Sequence, residues 1–165
     1  MSRLLLLLLV CILLITVVGG IPHGAHNRTL LVTRLRVNNL RRPLGIDSTP
    51  RFRWSLSCSH SHHGCAKPVA YRITVASSKA MLQFESQDAG VKGPDLWDSG
   101  VIKGSGVSVK YRGKHLSSRM RCHFQITVTD ANNNLYSSRI DYFEMGLLDK
   151  RDWHGGGLTH LLELG

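Results

Sequence analysis

Acidic residues are scarce in this chain: eleven Asp and Glu face twenty-one Lys and Arg, for a formal net charge of +10. The carboxylates are Asp47, Glu85, Asp88, Asp95, Asp98, Asp130, Asp141, Glu144, Asp149, Asp152 and Glu163. Most fall in turns or at strand ends, where aspartate is favoured for backbone reasons. No pair can be placed across a cleft from spacing alone, so the paired general acid and base of a hydrolase are not visible. A nucleophile elbow is missing too: Gly106-Val107-Ser108-Val109-Lys110 begins like G-x-S-x-G but ends in lysine. The glycines from Gly100 to Gly106 lack the following lysine and helix of a phosphate-cradling loop. There is no internal repeat and no convincing long helix. No catalytic residue, cofactor or resident metal is expected.

Long apolar stretches are limited to one. Arg3 provides a positive start, Leu4 to Val18 is apolar apart from Thr16, and Gly19-Gly20 offers small residues for cleavage. A membrane-spanning helix needs about 20 apolar residues, and this run meets glycines, Pro22 and His23 first. Residues 1–20 therefore read as a cleaved signal peptide, with a signal anchor as the other reading, and 21–30 as a linker. A secreted, extracellular chain with no stable membrane anchor follows as the expectation. The remaining 145 residues make one ordinary domain.

Four cysteines are present, and Cys11 would leave with the signal. In an oxidising compartment, Cys58 and Cys65 would close a small loop as a disulfide, leaving Cys122 on the inner face of a strand. The loop between the first two, Ser59-His60-Ser61-His62-His63-Gly64, also allows a zinc or copper reading. Its spacing matches no structural zinc pattern and no second ligand pair follows, so the disulfide is the simpler reading. Asn27-Arg28-Thr29 is an N-glycosylation sequon in an exposed position.

Alternation with period two dominates from residue 31 onward and argues for strands. Leu31, Thr33, Leu35 and Val37 would share one face, opposite Arg34 and Arg36. Phe52, Trp54 and Leu56 alternate with Arg51, Arg53 and Ser55, and Tyr71, Ile73 and Val75 alternate with Arg72, Thr74 and Ala76. The cleanest strand, Arg121 to Thr129, places Cys122, Phe124, Ile126 and Val128 together. It ends at the turn signal Asp130-Ala131-Asn132-Asn133-Asn134, and a return strand from Leu135 to Phe143 follows. Shorter candidates are Leu96 to Ser99 and Val107 to Tyr111, with a short helix between Ser77 and Phe84. About seven strands of this kind predict an all-β chain: one antiparallel sandwich of the fibronectin type III or immunoglobulin-like kind, spanning 31–148. Residues 149–165, with Gly155-Gly156-Gly157, are expected to be a flexible tail.

The basic excess is densest at Arg28, Arg34, Arg36, Arg41, Arg42, Arg51 and Arg53, opposed only by Asp47. Two readings stay open: a solvated basic face, or a surface for an anionic glycan, nucleic acid being no expected partner of a secreted chain. Trp54 reads as a core plug, whereas Trp97, with polar neighbours, divides nearly evenly between framework and ligand contact at the surface.

A set of ordered motifs adds a resemblance. Arg36-Val37-Asn38-Asn39-Leu40, Pro43-Leu44-Gly45-Ile46-Asp47 and Pro50-Arg51-Phe52-Arg53-Trp54 come first. Ala70-Tyr71-Arg72-Ile73 with Val75-Ala76-Ser77-Ser78, then Leu96-Trp97-Asp98-Ser99-Gly100, continue the order. Phe143-Glu144-Met145-Gly146-Leu147-Leu148 and Asp152-Trp153 close it. In this order the segment resembles the opening of bacterial and fungal α-L-rhamnosidases. The resemblance implies their N-terminal fibronectin type III-like sandwich, a non-catalytic accessory module preceding the domains that carry the inverting hydrolysis of terminal α-L-rhamnose. It implies those missing catalytic domains, or an anionic or rhamnose-containing glycan, as partners. The other outcome it allows is an incomplete chain of an active enzyme. The Cys- and His-rich loop, Cys122-His123 and the glycines after Trp153 depart from the family pattern.

Overall fold

The computed structural model describes residues 30–58, 66–83 and 93–153. Nine strands lie among them: β1 Leu30–Val37, β2 Arg51–Cys58, β3 Pro68–Ala76, β4 Trp97–Asp98, β5 Ile102–Lys103, β6 Ser108–Lys110, β7 Arg121–Asp130, β8 Leu135–Ser137 and β9 Asp141–Glu144. A short helix, α1, covers Ala80–Gln83 inside the helical candidate. The smaller sheet has the order β1-β2-β6; the larger runs β4-β3-β7-β8, with β5 also on β3 and β9 also on β7. Every strand pairing is antiparallel, and the two sheets form an immunoglobulin-like β-sandwich.

Alternation is realised most fully in β7. Cys122, Phe124, Ile126 and Val128 are all buried, and its neighbour β3 contributes Ile73 and Val75 to the same core. Phe52 of β2 projects from the opposite sheet into this layer. Its ring lies 5.0 Å from Phe124, 5.9 Å from Phe143 and 6.1 Å from Trp97, centroid to centroid. Offset and edge-on aromatic contacts of this kind add to the area that the rings bury. Trp54 is buried against Tyr71, and its indole N–H has no partner among the described residues. Trp97 packs on Phe52 and on Tyr111 at 5.3 Å, which makes it part of the framework.

β1 departs from the expected face. Leu30 and Val32 are buried while Leu31 is 42% exposed, so the first half of the strand has the opposite phase to the one read from Leu31 and Thr33. The second half, Leu35 and Val37, is buried as expected. A β-bulge reconciles them. Thr33 pairs with Ser55 but Arg36 with Arg53, so β1 carries one residue more than β2. Arg34 holds a left-handed φ of 48° within it. An extra residue in one strand reverses which side the following side chains face.

The return strand also differs: it is two strands, β8 and β9, broken around Ser138. This serine is buried, and its hydroxyl accepts from the Ile126 amide (3.1 Å) and donates to the Arg139 carbonyl (2.8 Å). β5 had no counterpart in the alternation, because two residues are too short to show a period.

Loops at one end are tied by backbone contacts. Gly45, with φ +84°, donates to the Glu144 carbonyl, and Gly146 sits so close to Gly45 that an added Cβ would lie 3.1 Å from its backbone. Residues 150–152 form a 3₁₀ turn capped by Asp149, and Asp152 accepts from the Ser118 hydroxyl. The segment read as a tail from 149 thus begins with a turn docked on the sandwich.

Candidate functional site

Asn27, Cys65 and the three loop histidines lie outside the described residues, as does the segment read as a signal. Cys58 ends β2 and pairs across to Leu30, the first residue of β1. The free thiol among the described residues is Cys122, fully buried; burial, with the Asp95 charge second, pushes it up to about 12. A thiol held so far above neutral pH is a poor nucleophile.

Most of the described carboxylates serve the framework; Asp47 is exposed, with no hydrogen bond or ion pair among the described residues. Asp130 is buried in the β7–β8 turn and accepts from the amides of Asn132 and Asn134, from the Asn134 side chain and from Tyr136 Oη. These bonds, the Asn134 side chain foremost, lower its pKa. Asp98 takes both arms of Arg72 and caps the Gly100 amide, and Arg72 is the main cause of its lowered pKa. Asp95 accepts from the Ser77 amide and hydroxyl. Asp141, 3% exposed, accepts from Arg42 Nε at 2.6 Å and from Arg139 Nη2 at 3.4 Å. Glu144 pairs with Arg121 across the β7–β9 ladder, and Asp149 with Arg151. Each of these carboxylates is committed to holding a turn or joining two segments.

The arginines divide. Arg53 donates to Asn39 Oδ1 (3.0 Å), and Arg42 is tied to Asp141, so neither joins a common cluster. Arg34, Arg36 and Arg41 instead meet Arg139 on an open flank of the sandwich. There β1, an outer strand of the smaller sheet, and β8, at the edge of the larger one, border a groove of about 640 Å³. Among the described residues its lining holds four arginines and no carboxylate, over the apolar residues Leu30, Leu31, Val32 and Leu35. Arg36 donates to the Asn39 carbonyl (3.0 Å), while Arg34 and Arg41 have no ion pair or side-chain hydrogen bond among the described residues. The basic excess in the sequence pointed here, but Arg139 comes from a segment about a hundred residues away and could not be grouped with it.

The architecture has relatives. The family profile described as "Rha78A-like, N-terminal immunoglobulin domain" matches residues 32–149. The chain belongs to this family. An alpha-L-rhamnosidase of Alteromonas sp. (strain LOR) is 37% identical over 114 residues, which is 67% of this chain and 11% of that protein. One from Streptomyces avermitilis is 33% identical over 127 residues, or 75% of this chain and again 11% of the relative. The crystal structure of the Streptomyces avermitilis alpha-L-rhamnosidase complexed with L-rhamnose superimposes with a TM-score of 0.63 at 32% identity, covering 76% of this chain and 11% of that one. A Dictyoglumus thermophilum alpha-L-rhamnosidase gives 0.64 at 25% identity, covering 75% and 13%. The chain thus spans about a ninth of the length of the relatives it matches.

Proposed function

We propose that this chain is the non-catalytic accessory module of an exported α-L-rhamnosidase-like protein. One observation carries the reading: the whole likeness to the relatives is confined to their N-terminal immunoglobulin domain, about 11% of their length. The carboxylates agree with it, since most of those described above are bound into turns and ladders rather than turned toward each other across a cleft. Residues 1–20 serve as the export signal, Cys58 and Cys65 form a disulfide, and Asn27 carries a glycan. The partner of the module is the set of domains that follows in the relatives. Exposed Leu44, Leu148 and Trp153, on segments gathered at the end where the chain leaves the sandwich, supply an apolar surface for it. A second reading, the leading piece of an active enzyme, assigns the same role to these residues and places the chemistry in sequence beyond Trp153.

The purified chain releases no rhamnose from an aryl α-L-rhamnoside on this reading. Turnover abolished by a single carboxylate substitution in this chain overturns it. Peptide mass spectrometry of the unreduced protein checks the Cys58–Cys65 bridge, and a mass shift on enzymatic deglycosylation checks Asn27.

A further inference from the structure

We propose that the arginine groove between β1 and β8 binds an acidic polysaccharide, one whose sugar units carry sulfate or carboxylate groups. Among the described residues its lining combines Arg34, Arg36, Arg41 and Arg139 with no acidic side chain. All four are exposed, and two have no partner among the described residues, so their donors face the groove's solvent unspent. The planar guanidinium fork matches the paired oxygens of a sulfate or carboxylate, and a charge-assisted bond of this kind is stronger than a neutral one. β1 runs for eight residues, which at strand rise is about 25 Å, enough for several successive anionic units rather than one small ion.

Two features choose this ligand over others. Among the described residues the groove lining contains no aromatic, so it offers no platform for stacking bases, which argues against single-stranded nucleic acid. The same lack leaves charge, rather than ring stacking, as the means of holding a sugar, which favours an acidic glycan over a neutral rhamnoside. An extended peptide adding to the edge of β1 would need a regular row of amides and carbonyls. The bulge between Thr33 and Arg36 interrupts that row, as bulges do where an edge is protected from pairing. A polyanion reads the charges and is indifferent to the ladder.

The test is titration calorimetry of the full chain with a heparin oligosaccharide at about 0.15 M salt, where charges a Debye length apart are largely screened. Two charge-matched variants are compared: Arg34→Gln/Arg36→Gln/Arg41→Gln in the groove, and Lys103→Ala/Lys110→Ala/Arg112→Ala away from it. Identical far-UV spectra and melting temperatures certify that both fold. The groove variant is expected to bind about tenfold more weakly or worse, the other to lose less than about threefold. Equal losses in the two variants, or no loss in the first, overturn the proposal. So does polyglutamate or an oligodeoxynucleotide of equal charge binding as tightly as heparin, and so does the absence of heparin binding by the unaltered chain. None of these outcomes bears on whether the chain hydrolyses a rhamnoside, so failure here is distinct from failure of the accessory role.

Discussion

β7 and β1 are both long strands with alternating sequences, yet one obeys its alternation throughout and the other changes phase midway. β7 lies inside the larger sheet, flanked by β3 on one side and by β8 and β9 on the other. Its inward residues meet Phe52 and Phe143, so any slip would expose a row of them. Among the described residues β1 has a strand neighbour on one side only, and its other side can absorb an extra residue at Arg34. A strand paired on both sides has no such freedom. The groove that gathers the arginines exists on the side where this freedom was used.

The largest expected effect breaks the comparison at its rigid member. Deletion of Gln125 from β7 would turn either Cys122 and Phe124, or Ile126 and Val128, out of the core. The variant is expected not to fold, seen as loss of cooperative denaturant unfolding. A cooperative transition of near-normal midpoint would show that β7 is as tolerant as an edge. Next in size, Phe124→Ala removes a ring that touches Phe52 and Phe143 at the centre of the sandwich. A loss of about 3–5 kcal/mol in unfolding free energy is expected from urea titration. A loss under about 1 kcal/mol would mean that the aromatic layer is not the core.

The inside of the sandwich also sets a pH limit. Burial raises Cys122 to about 12 and, acting first among its causes, raises Tyr111 to about 12. Released by unfolding, these groups titrate near about 8.5 and 10. The stability that depends on these two groups is therefore undiminished below about pH 8.5 and falls as pH rises toward 12, because the unfolded chain ionises first. The melting temperature should decline over that range, and Cys122→Ala should remove the part of the decline that begins at the lower value. An equal slope in the variant would assign the loss to other groups. At the acid end the sign reverses: the lowered pKa values of Asp98 and Asp130 stabilise above about pH 4, and that stabilisation is lost as pH falls through the lowered values.

What could be read from the sequence follows the same division. β7, β3 and β2 announced themselves because one face of each is wholly apolar, and the ordered motifs around Trp54, Trp97 and Phe143 gave the family. Ser138 was hidden: a buried serine joined by hydrogen bonds to Ile126 looks, in a list of residues, like any polar position on a strand. The groove was half visible. Arg34, Arg36 and Arg41 stand close in sequence, but Arg139 joins them only through the pairing of β8 with β7. Arg53, equally prominent in sequence, is occupied by Asn39 instead. Spacing along a chain reports which residues share a strand face, not which edges two sheets bring together.

The smallest expected effect concerns Arg34 itself. Removing this one residue leaves Leu30, Val32, Leu35 and Val37 at every second position, all on the inner face, with β1 equal in length to its partner segment of β2. The residues that bracket the bulge, Thr33 and Arg36, already pair with Ser55 and Arg53, so the deletion only converts a bulge into a regular ladder. It also discards a non-glycine residue at φ 48°, a conformation that costs about 1–2 kcal/mol for L-residues. Against that stands the loss of a local twist that bulges supply to an edge. A change within about 1 kcal/mol of zero in unfolding free energy is expected by urea titration. A loss as large as that of Phe124→Ala would mean that the bulge, like β7, is required by the packing. The contrast between Gln125 and Arg34, one deletion in each strand, thus measures how far a sandwich edge is free to be reshaped around a ligand while its centre is held.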